Sequence, residues 1–372
     1  PAGTAMLPLV YAAAFEKGMF PGALVEDSPL DNRAVMIGGT TGILGEWGPE
    51  NASNRYEGPI TARAALAKSK NGAAVRVGTN AGLEAVTQLI HAAGVESKLR
   101  PYPATFLGCS VITLAELARA YTIFPNDGRR APLPHILDRI EDKEGHVVWE
   151  TERSRQREQV IKPEIAYEVT SCLTDALTQG TGRLAYEKYG LQKFPAAGKT
   201  GTAYDFTDAL FAGYDSAVTC AVWAGFDKPE RIYRGAFGSV IALPVWVDVM
   251  NASRASHTPR PFAVPPGLHK VEICSKSGLL ATDRCYEDVR SENGDVVKRR
   301  TSYFELASDA QTPADPCDVH SDSVRTQLVK KFESSQWPRA ALATQKVGDQ
   351  PLRPRRPAAV RSHVTSFASP FR

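Results

Sequence analysis

The sequence has no long hydrophobic run. No segment of its 372 residues approaches the ~20 consecutive apolar residues that a membrane-spanning helix needs, and no signal peptide is visible. The chain begins with Pro1 instead of Met, so we expect it to be a piece of a longer protein. The lack of a membrane-spanning segment in these residues therefore does not exclude a membrane anchor elsewhere in the protein.

An excess of one charge sign is also missing. Lys and Arg together number 44 and Asp and Glu number 41, which leaves a formal net charge of +3. So weak a balance does not indicate a polyanionic partner, and we predict no nucleic-acid binding. The hydrophobic share of 43% is that of an ordinary globular chain with room for a sizeable core and more than one domain.

Cysteine is scarce, and the chain has no C-x-x-C pair. Three of the six cysteines stand in apolar contexts typical of buried small hydrophobes: Cys109, Cys172 and Cys220. The other three, Cys274, Cys285 and Cys317, lie in a polar region and could form one disulfide in an oxidising compartment. With His320 they also offer four zinc ligands, but the spacing lacks the usual paired knuckles. We therefore predict no metal and no cofactor.

Helical and strand-like segments alternate along the chain. Thr4 is a good N-cap for a helix from Ala5 to Lys17, and Thr61 caps a second helix that ends near Asn71. Further helices are predicted in GLEAVTQLIHAAG, TLAELARAYTIF, EIAYEVTSCLTDALT and PVWVDVMNAS, strands in AAGKTGTAY, ALFAGY and SAVTCAVWAGF, and a hairpin in HILDRIEDKEGHVVWE. Helices on both sides of a late strand cluster favour an α+β fold over a doubly wound parallel sheet.

Changes of composition divide the chain into four parts. Residues 1–255 carry the helices and strands, and 256–267 form a proline-rich linker. Residues 268–320 form a small extension that contains cysteine, and 321–372 form a basic tail that we predict to be disordered.

The strongest local motif is GKTGT at residues 198–202. A lysine, two threonine hydroxyls and a glycine on an edge strand can bind a carboxylate and an oxyanion, and the glycine lets a peptide backbone approach. We therefore predict Lys199 as catalytic and Thr200, Gly201 and Thr202 as substrate-binding. The alternative, a phosphate-binding loop, requires an earlier glycine that this sequence does not have.

Ser69-Lys70-Asn71 is a second, weaker motif. A hydroxyl two residues before an amide can relay a proton and hold a carbonyl, although such residues also cap helices. In serine acyl-transfer enzymes, S-x-x-K, a Ser-x-Asn element and K-T-G occur in that order along the chain. Here Thr4 occupies the first place, and we predict Thr4, Ser69 and Asn71 as catalytic residues together with Lys199.

This ordered set of motifs resembles the transpeptidase domain of class A, bifunctional penicillin-binding proteins. The resemblance runs from Gly3 to about Ser253 and continues weakly to His320. Its further marks are the W-x-P-x-N loop at 47–51, RAAL at 63–66, LG at 107–108, LAELA at 114–118, the GTG turn at 180–182 and the D-x-x-F-x-G-Y that follows GKTGT.

The resemblance implies a penicillin-binding-protein/β-lactamase-like fold, with a central antiparallel sheet flanked by helices and sheet strands that precede residue 1. It implies acyl transfer on peptidoglycan stem peptides that end in D-Ala-D-Ala, at the periplasmic face of the inner membrane. The implied partners are those stem peptides, β-lactams and an upstream glycosyltransferase domain of the same chain, with an N-terminal membrane anchor.

The chain departs from the family at the first motif, since Thr4 replaces the nucleophilic serine and Leu7 the basic lysine. Loss of base assistance alone lowers a rate by on the order of 10²–10⁴. Lys199 is the best candidate to replace the base, because the family places it across the cleft, whereas Lys70 usually points away. The alternative role of Thr4 is an N-cap, worth about 1 kcal/mol of stability, and we favour it.

Two functions of different classes therefore stay open. One is a D,D-transpeptidase with a threonine nucleophile, and the other is a catalytically inactive module that binds stem peptides or supports a glycosyltransferase. A β-lactamase is a third possibility, but the chain length and the cysteine-containing extension argue against it.

Overall fold

The computed structural model describes residues 1–31, 46–47, 55–133, 135–150, 158–291 and 293–320. Over these ranges the chain forms the predicted α+β fold. Of the W-x-P-x-N loop, Trp47 lies in a short strand while 48–51 fall outside the described residues. The basic tail predicted at 321–372 also falls outside them.

Helices and strands are numbered here in chain order over the described residues. The helices are α1 (Leu7–Glu16), α2 (Ala62–Ala67), α3 (Asn71–Ala81), α4 (Leu83–Ala92), α5 (Leu114–Tyr121), α6 (Pro163–Thr178), α7 (Leu184–Glu187) and α8 (Gly238–Ser253). The strands are β1 (Leu24–Asp27), β2 (Leu30–Asp31), β3 (Glu46–Trp47), β4 (Gly58–Thr61), β5 (Arg139–Glu141), β6 (Val147–Glu150), β7 (Ala197–Thr202), β8 (Asp208–Tyr214), β9 (Thr219–Gly225), β10 (His269–Cys274), β11 (Tyr286–Arg290), β12 (Val296–Arg300) and β13 (Ser302–Ala307).

The central sheet consists of three antiparallel strands in the order β7-β8-β9. Successive side chains of β8 point to opposite faces, as the pleat requires. Phe211 packs against Trp246 of α8, with ring centroids 4.8 Å apart, whereas Leu210 and Tyr214 join the core that surrounds α1 and α6. Among the described strands β7 pairs on one side only, so it is an edge strand of this sheet.

Helix α1 is buried on almost every side because its sequence, LPLVYAAAFE, has only one charged residue. Pro8 lies in the first turn, where its missing N–H breaks no intrahelical bond. The prediction of a helix here is confirmed, but its start is corrected: a 3₁₀ turn at Gly3–Met6 precedes Leu7. Across the described part of the chain no helix is both long and apolar enough to cross a bilayer.

The region around Asn71 differs from the prediction. The helix capped by Thr61 ends at Ala67, and Asn71 begins the separate helix α3. The chain reverses between the two because Ser69 adopts a left-handed φ of 57° and Lys70 is extended. The helix capped by Thr61 therefore does not continue to Asn71, and Asn71 and Gly72 form the first turn of the next helix.

The segment after residue 268 contains two small antiparallel sheets, β10 with β13 and β11 with β12. It contacts the helices through buried polar groups. Arg63 of α2 bridges Glu305 of β13, at 2.6 Å, and Asp175 of α6, at 2.8 Å. Gln311 donates one hydrogen bond to the Met19 carbonyl and another to Glu168 of α6. The boundaries predicted for this segment and for the linker stay predictions.

Glu168 provides a test of this packing. Its burial raises the pKa of the carboxyl to about 8, so the folded chain holds a proton that the unfolded chain releases above about pH 4.5. This proton stabilises the folded state below pH 4.5, and its contribution is lost as the pH rises through 8. We expect Glu168→Gln to gain stability relative to the natural chain over that window, by at most about 1.4 kcal/mol per pH unit. Denaturant unfolding measures the difference, and a constant difference from pH 4.5 to 8 would contradict it.

Candidate active site

Two glycines let the Gly3–Met6 turn lie directly on strand β7. Gly3 has φ +54°, and a Cβ added to it would come within 2.4 Å of the Thr202 carbonyl oxygen. A Cβ on Gly201 would lie 2.7 Å from the carbonyl oxygen of Ala2. Because neither position has room for a side chain, the turn and the strand touch backbone to backbone. This contact brings the first and third motifs together.

Lys199 is fully buried, and its amine donates hydrogen bonds to two neutral oxygen atoms. Its Nζ donates to Ser69 Oγ at 2.7 Å and to the Thr200 carbonyl oxygen at 3.1 Å. Among the described residues no carboxylate lies within ion-pair distance of it. Burial without a counter-charge lowers the pKa of Lys199 to about 7, so this group is a base as well as a cation near neutral pH.

Thr4 points into the same site. Its Oγ1 donates to the Thr200 carbonyl oxygen at 3.1 Å, and Lys199 Nζ lies at the same distance from that atom. Because both atoms bond to the same oxygen, Thr4 Oγ1 and Lys199 Nζ are no more than twice 3.1 Å apart. The N-cap interpretation of Thr4 is wrong, because the residue lies inside the 3₁₀ turn and its side chain bonds to β7. Contact with the strand outweighs the local capping preference.

Leu7 occupies the position one turn after Thr4, at the start of α1. Its side chain is fully buried in the main hydrophobic core. A leucine neither accepts a proton nor bears a charge, so this position supplies no base. That the first motif has lost its catalytic amine stays a prediction.

Ser69 and Lys70 face different surroundings although they are neighbours. Ser69 accepts the hydrogen bond from Lys199, and its left-handed backbone is the kind of strain that clusters at functional sites. Lys70 Nζ pairs with Asp27 at 3.1 Å and with Glu57 at 3.0 Å, so its amine is engaged away from Lys199. The predicted Asn71 lies two residues from Ser69, at the first position of α3.

Two threonines complete the hydrogen bonds around β7. Thr202 Oγ1 accepts the N–H of Gly238, the first residue of α8, which leaves its own proton for another acceptor. Thr200 Oγ1 lies 2.8 Å from Thr181 Oγ1. Thr181 was not among the predicted site residues, although the GTG turn that contains it was noted. In the sequence, the hydroxyl residue between two glycines was the pattern that indicated Thr181.

Comparison with known proteins agrees with this geometry. The family described as the penicillin binding protein transpeptidase domain matches residues 2–234, and the C-terminal domain of penicillin-binding protein 1A matches residues 264–322. The chain belongs to the penicillin-binding protein transpeptidase family. The fold is therefore that of penicillin-binding proteins and β-lactamases.

Two similar relatives and one solved structure place the chain within this family. Penicillin-binding protein 1A of Neisseria meningitidis serogroup A is 34% identical over 270 residues, which cover 72% of this chain and 33% of the relative. Penicillin-binding protein 1A of Pseudomonas aeruginosa is 29% identical over 328 residues, covering 75% and 39%. The crystal structure of penicillin-binding protein 1A from Haemophilus influenzae has a TM-score of 0.70 at 25% identity, covering 85% of this chain and 49% of that one. The chain thus spans about a third of the length of the curated relatives.

The unusual lysine of this transpeptidase-family site can be tested through stability. Because the pKa of Lys199 is about 7 in the folded chain and 10.5 ordinarily, the unfolded chain binds the extra proton between these values. The natural chain should gain stability as the pH rises from 7 to 10.5, by at most about 1.4 kcal/mol per unit from this group. Lys199→Met should lack this gain. Equal pH profiles for the two chains in denaturant unfolding would show that Lys199 keeps its ordinary pKa.

Proposed function

We propose that the cleft binds the D-Ala-D-Ala end of peptidoglycan stem peptides and that its acyl-transfer activity is strongly reduced. One observation carries the proposal: the Thr4 hydroxyl donates to a backbone carbonyl, and Leu7 offers no base beside it. The predicted site residues Thr4, Ser69 and Lys199 are in place to bind, while the pair that would perform the chemistry is changed.

Binding is supported by the charge and the hydrogen-bonding capacity of the site. Lys199 is a buried amine without a described carboxylate partner, and the carboxylate of a peptide would supply the missing counter-charge. The edge strand β7 can pair with an extended peptide backbone, and the hydroxyl of Thr202 retains a proton to donate.

Reduced chemistry follows from where the Thr4 proton must go. Attack on a peptide carbonyl requires the hydroxyl proton to leave for a base, and the amide oxygen of Thr200 is a poor one. A lysine at position 7 would take this proton, but a buried leucine cannot. The loss of such a base lowers the rate by on the order of 10²–10⁴.

A slow enzyme is the second candidate, and a separate observation favours it. The pKa of about 7 leaves a large fraction of Lys199 neutral at neutral pH, and its amine shares the Thr200 carbonyl with Thr4. A base whose pKa lies near the working pH is the most effective kind. Lys199 could then accept the Thr4 proton, directly or through Ser69, and Thr4 would be the nucleophile.

The setting of the domain is proposed from its relatives. We propose that the cleft faces the extracytoplasmic side of the inner membrane and that the full-length chain carries an upstream glycosyltransferase domain; the family resemblance supports both. In that setting a peptide-binding cleft without acyl transfer would hold the nascent strand or regulate the glycosyltransferase. β-Lactams, which mimic the peptide terminus, are the natural probes of the site.

Labelling with a fluorescent penicillin separates the two candidates. We expect no covalent band for the natural full-length chain and a new band for the Thr4→Ser/Leu7→Lys double variant, which restores serine and amine. The matched control is Thr4→Ser/Leu7→Met, which has a side chain of similar length without the amine, and it should stay unlabelled. A band in the natural chain that Thr4→Ala abolishes would instead establish the slow enzyme.

Peptide binding tests the cleft without any covalent step. A labelled peptide that ends in D-Ala-D-Ala should bind the natural chain, and its C-terminal amide should bind more weakly. Lys199→Met should weaken binding of the acid about tenfold or more, because a charge-assisted hydrogen bond contributes about 1.5–3 kcal/mol. Fluorescence anisotropy measures both affinities. Equal affinity for acid and amide would contradict the assignment of Lys199 to the peptide carboxylate.

A further inference from the structure

Three cysteines and a histidine meet at one point of the C-terminal extension. Cys274 ends β10, Cys285 immediately precedes β11, and Cys317 and His320 lie after β13. One ligand atom from each residue lies within 4.8 Å of all the others. The three cysteines are buried, His320 is partly buried, and all three sulfurs are free thiols. None of these residues takes part in the transpeptidase-family site.

The distances in this cluster are those of a tetrahedral ligand set. His320 Nδ1 lies 3.5 Å from Cys274 Sγ and 3.3 Å from Cys317 Sγ. Zinc binds sulfur at about 2.3 Å and imidazole nitrogen at about 2.0–2.1 Å, which separates two ligands of a tetrahedron by about 3.5–3.8 Å. Three sulfurs and one nitrogen also make up one of the common ligand sets of structural zinc.

Backbone N–H groups already point at the sulfur atoms. The N–H of Lys276 donates to Cys274 Sγ at 3.4 Å, and the N–H of Thr282 donates to Cys285 Sγ at 3.2 Å. Such bonds orient the ligands of a metal site and stabilise sulfur in its thiolate form. A cysteine that serves only as a small core residue needs no such donors.

The cluster lies in a small part of the fold that has little core to stabilise it. The apolar cluster of the extension is small: Val271, Ile273 and Ala307 are its buried members, they pack with Phe20 from the N-terminal part of the chain, and the sheets have two strands each. A core of this size stabilises little, and small domains commonly add disulfides or a structural metal. One ion held by the four residues would join the end of β10, the start of β11 and the C-terminal end of the described chain.

We propose that Cys274, Cys285, Cys317 and His320 bind one structural zinc ion. The three thiols lose their protons to solvent as the metal binds, and His320 binds as neutral imidazole through Nδ1, so that the closed site carries one net negative charge. This proposal replaces the sequence-based expectation of no metal. A disulfide between two of the cysteines would leave the third thiol and His320 without a role.

Metal content of the natural full-length chain is the direct test. The protein is purified under reducing conditions from zinc-supplemented cells, and its metals are counted by inductively coupled plasma mass spectrometry. We expect about one zinc per chain, and Cys274→Ser should retain less than a tenth of it. Cys220→Ser is the matched control, because Cys220 is a partly exposed cysteine on β9 outside the cluster, and it should retain all of the zinc.

Cobalt substitution keeps the test decisive if Cys274→Ser does not fold. The natural chain reconstituted with Co²⁺ should show thiolate-to-cobalt charge-transfer absorption and the visible bands of a tetrahedral ion. His320→Gln, at the end of the described chain, should weaken these bands. A natural chain that binds neither metal after reduction, or that retains full zinc in both cluster variants, overturns the proposal. So does a disulfide between two cluster cysteines that forms in the presence of zinc and excludes it.

Discussion

The carbonyl oxygen of Thr200 is the atom on which the geometry of the site depends. It lies on an edge strand, and it accepts hydrogen bonds from Thr4 Oγ1 and Lys199 Nζ. The Thr4 bond could not form if the N-terminal turn stood further from β7, and the turn comes so close only because both Gly3 and Gly201 lack a side chain. Backbone contact between two segments distant in sequence thus places the hydroxyl of Thr4 beside an amine that β7 itself positions.

Two buried lysines, Lys70 and Lys199, differ in how their charge is compensated. Lys70 is buried and paired with Asp27 and Glu57, so its positive charge is compensated inside the fold. Lys199 is equally buried and has only neutral oxygen partners among the described residues. Burial of an ammonium without a counter-charge costs free energy, and groups perturbed in this way cluster at functional sites. Both candidate functions depend on this residue.

Sequence reasoning predicted the parts of the structure that follow from local pattern. The GKTGT strand, the apolar helix after Thr4 and the order of the three motifs identified the family and the central residues. It failed where tertiary contact overrides local preference: Thr4 bonds to a strand instead of capping its own helix, and Asn71 starts a helix instead of ending one. The four ligand types of the cysteine–histidine cluster were visible in the sequence, but their convergence, like the contact between Thr181 and Thr200, joins separate segments that only the fold brings together.

The ion pairs of Arg63 connect the two regions that the family comparison treats as separate domains. This guanidinium is largely buried between Glu305 of the extension and Asp175 of α6, and it lies on the short helix that leads to Ser69. Removal of the extension would leave the buried guanidinium without its Glu305 partner and would expose the side of helix α2 that the extension covers. The C-terminal segment thus supports helix α2, and truncations that shorten the chain there would disturb the backbone that leads to Ser69.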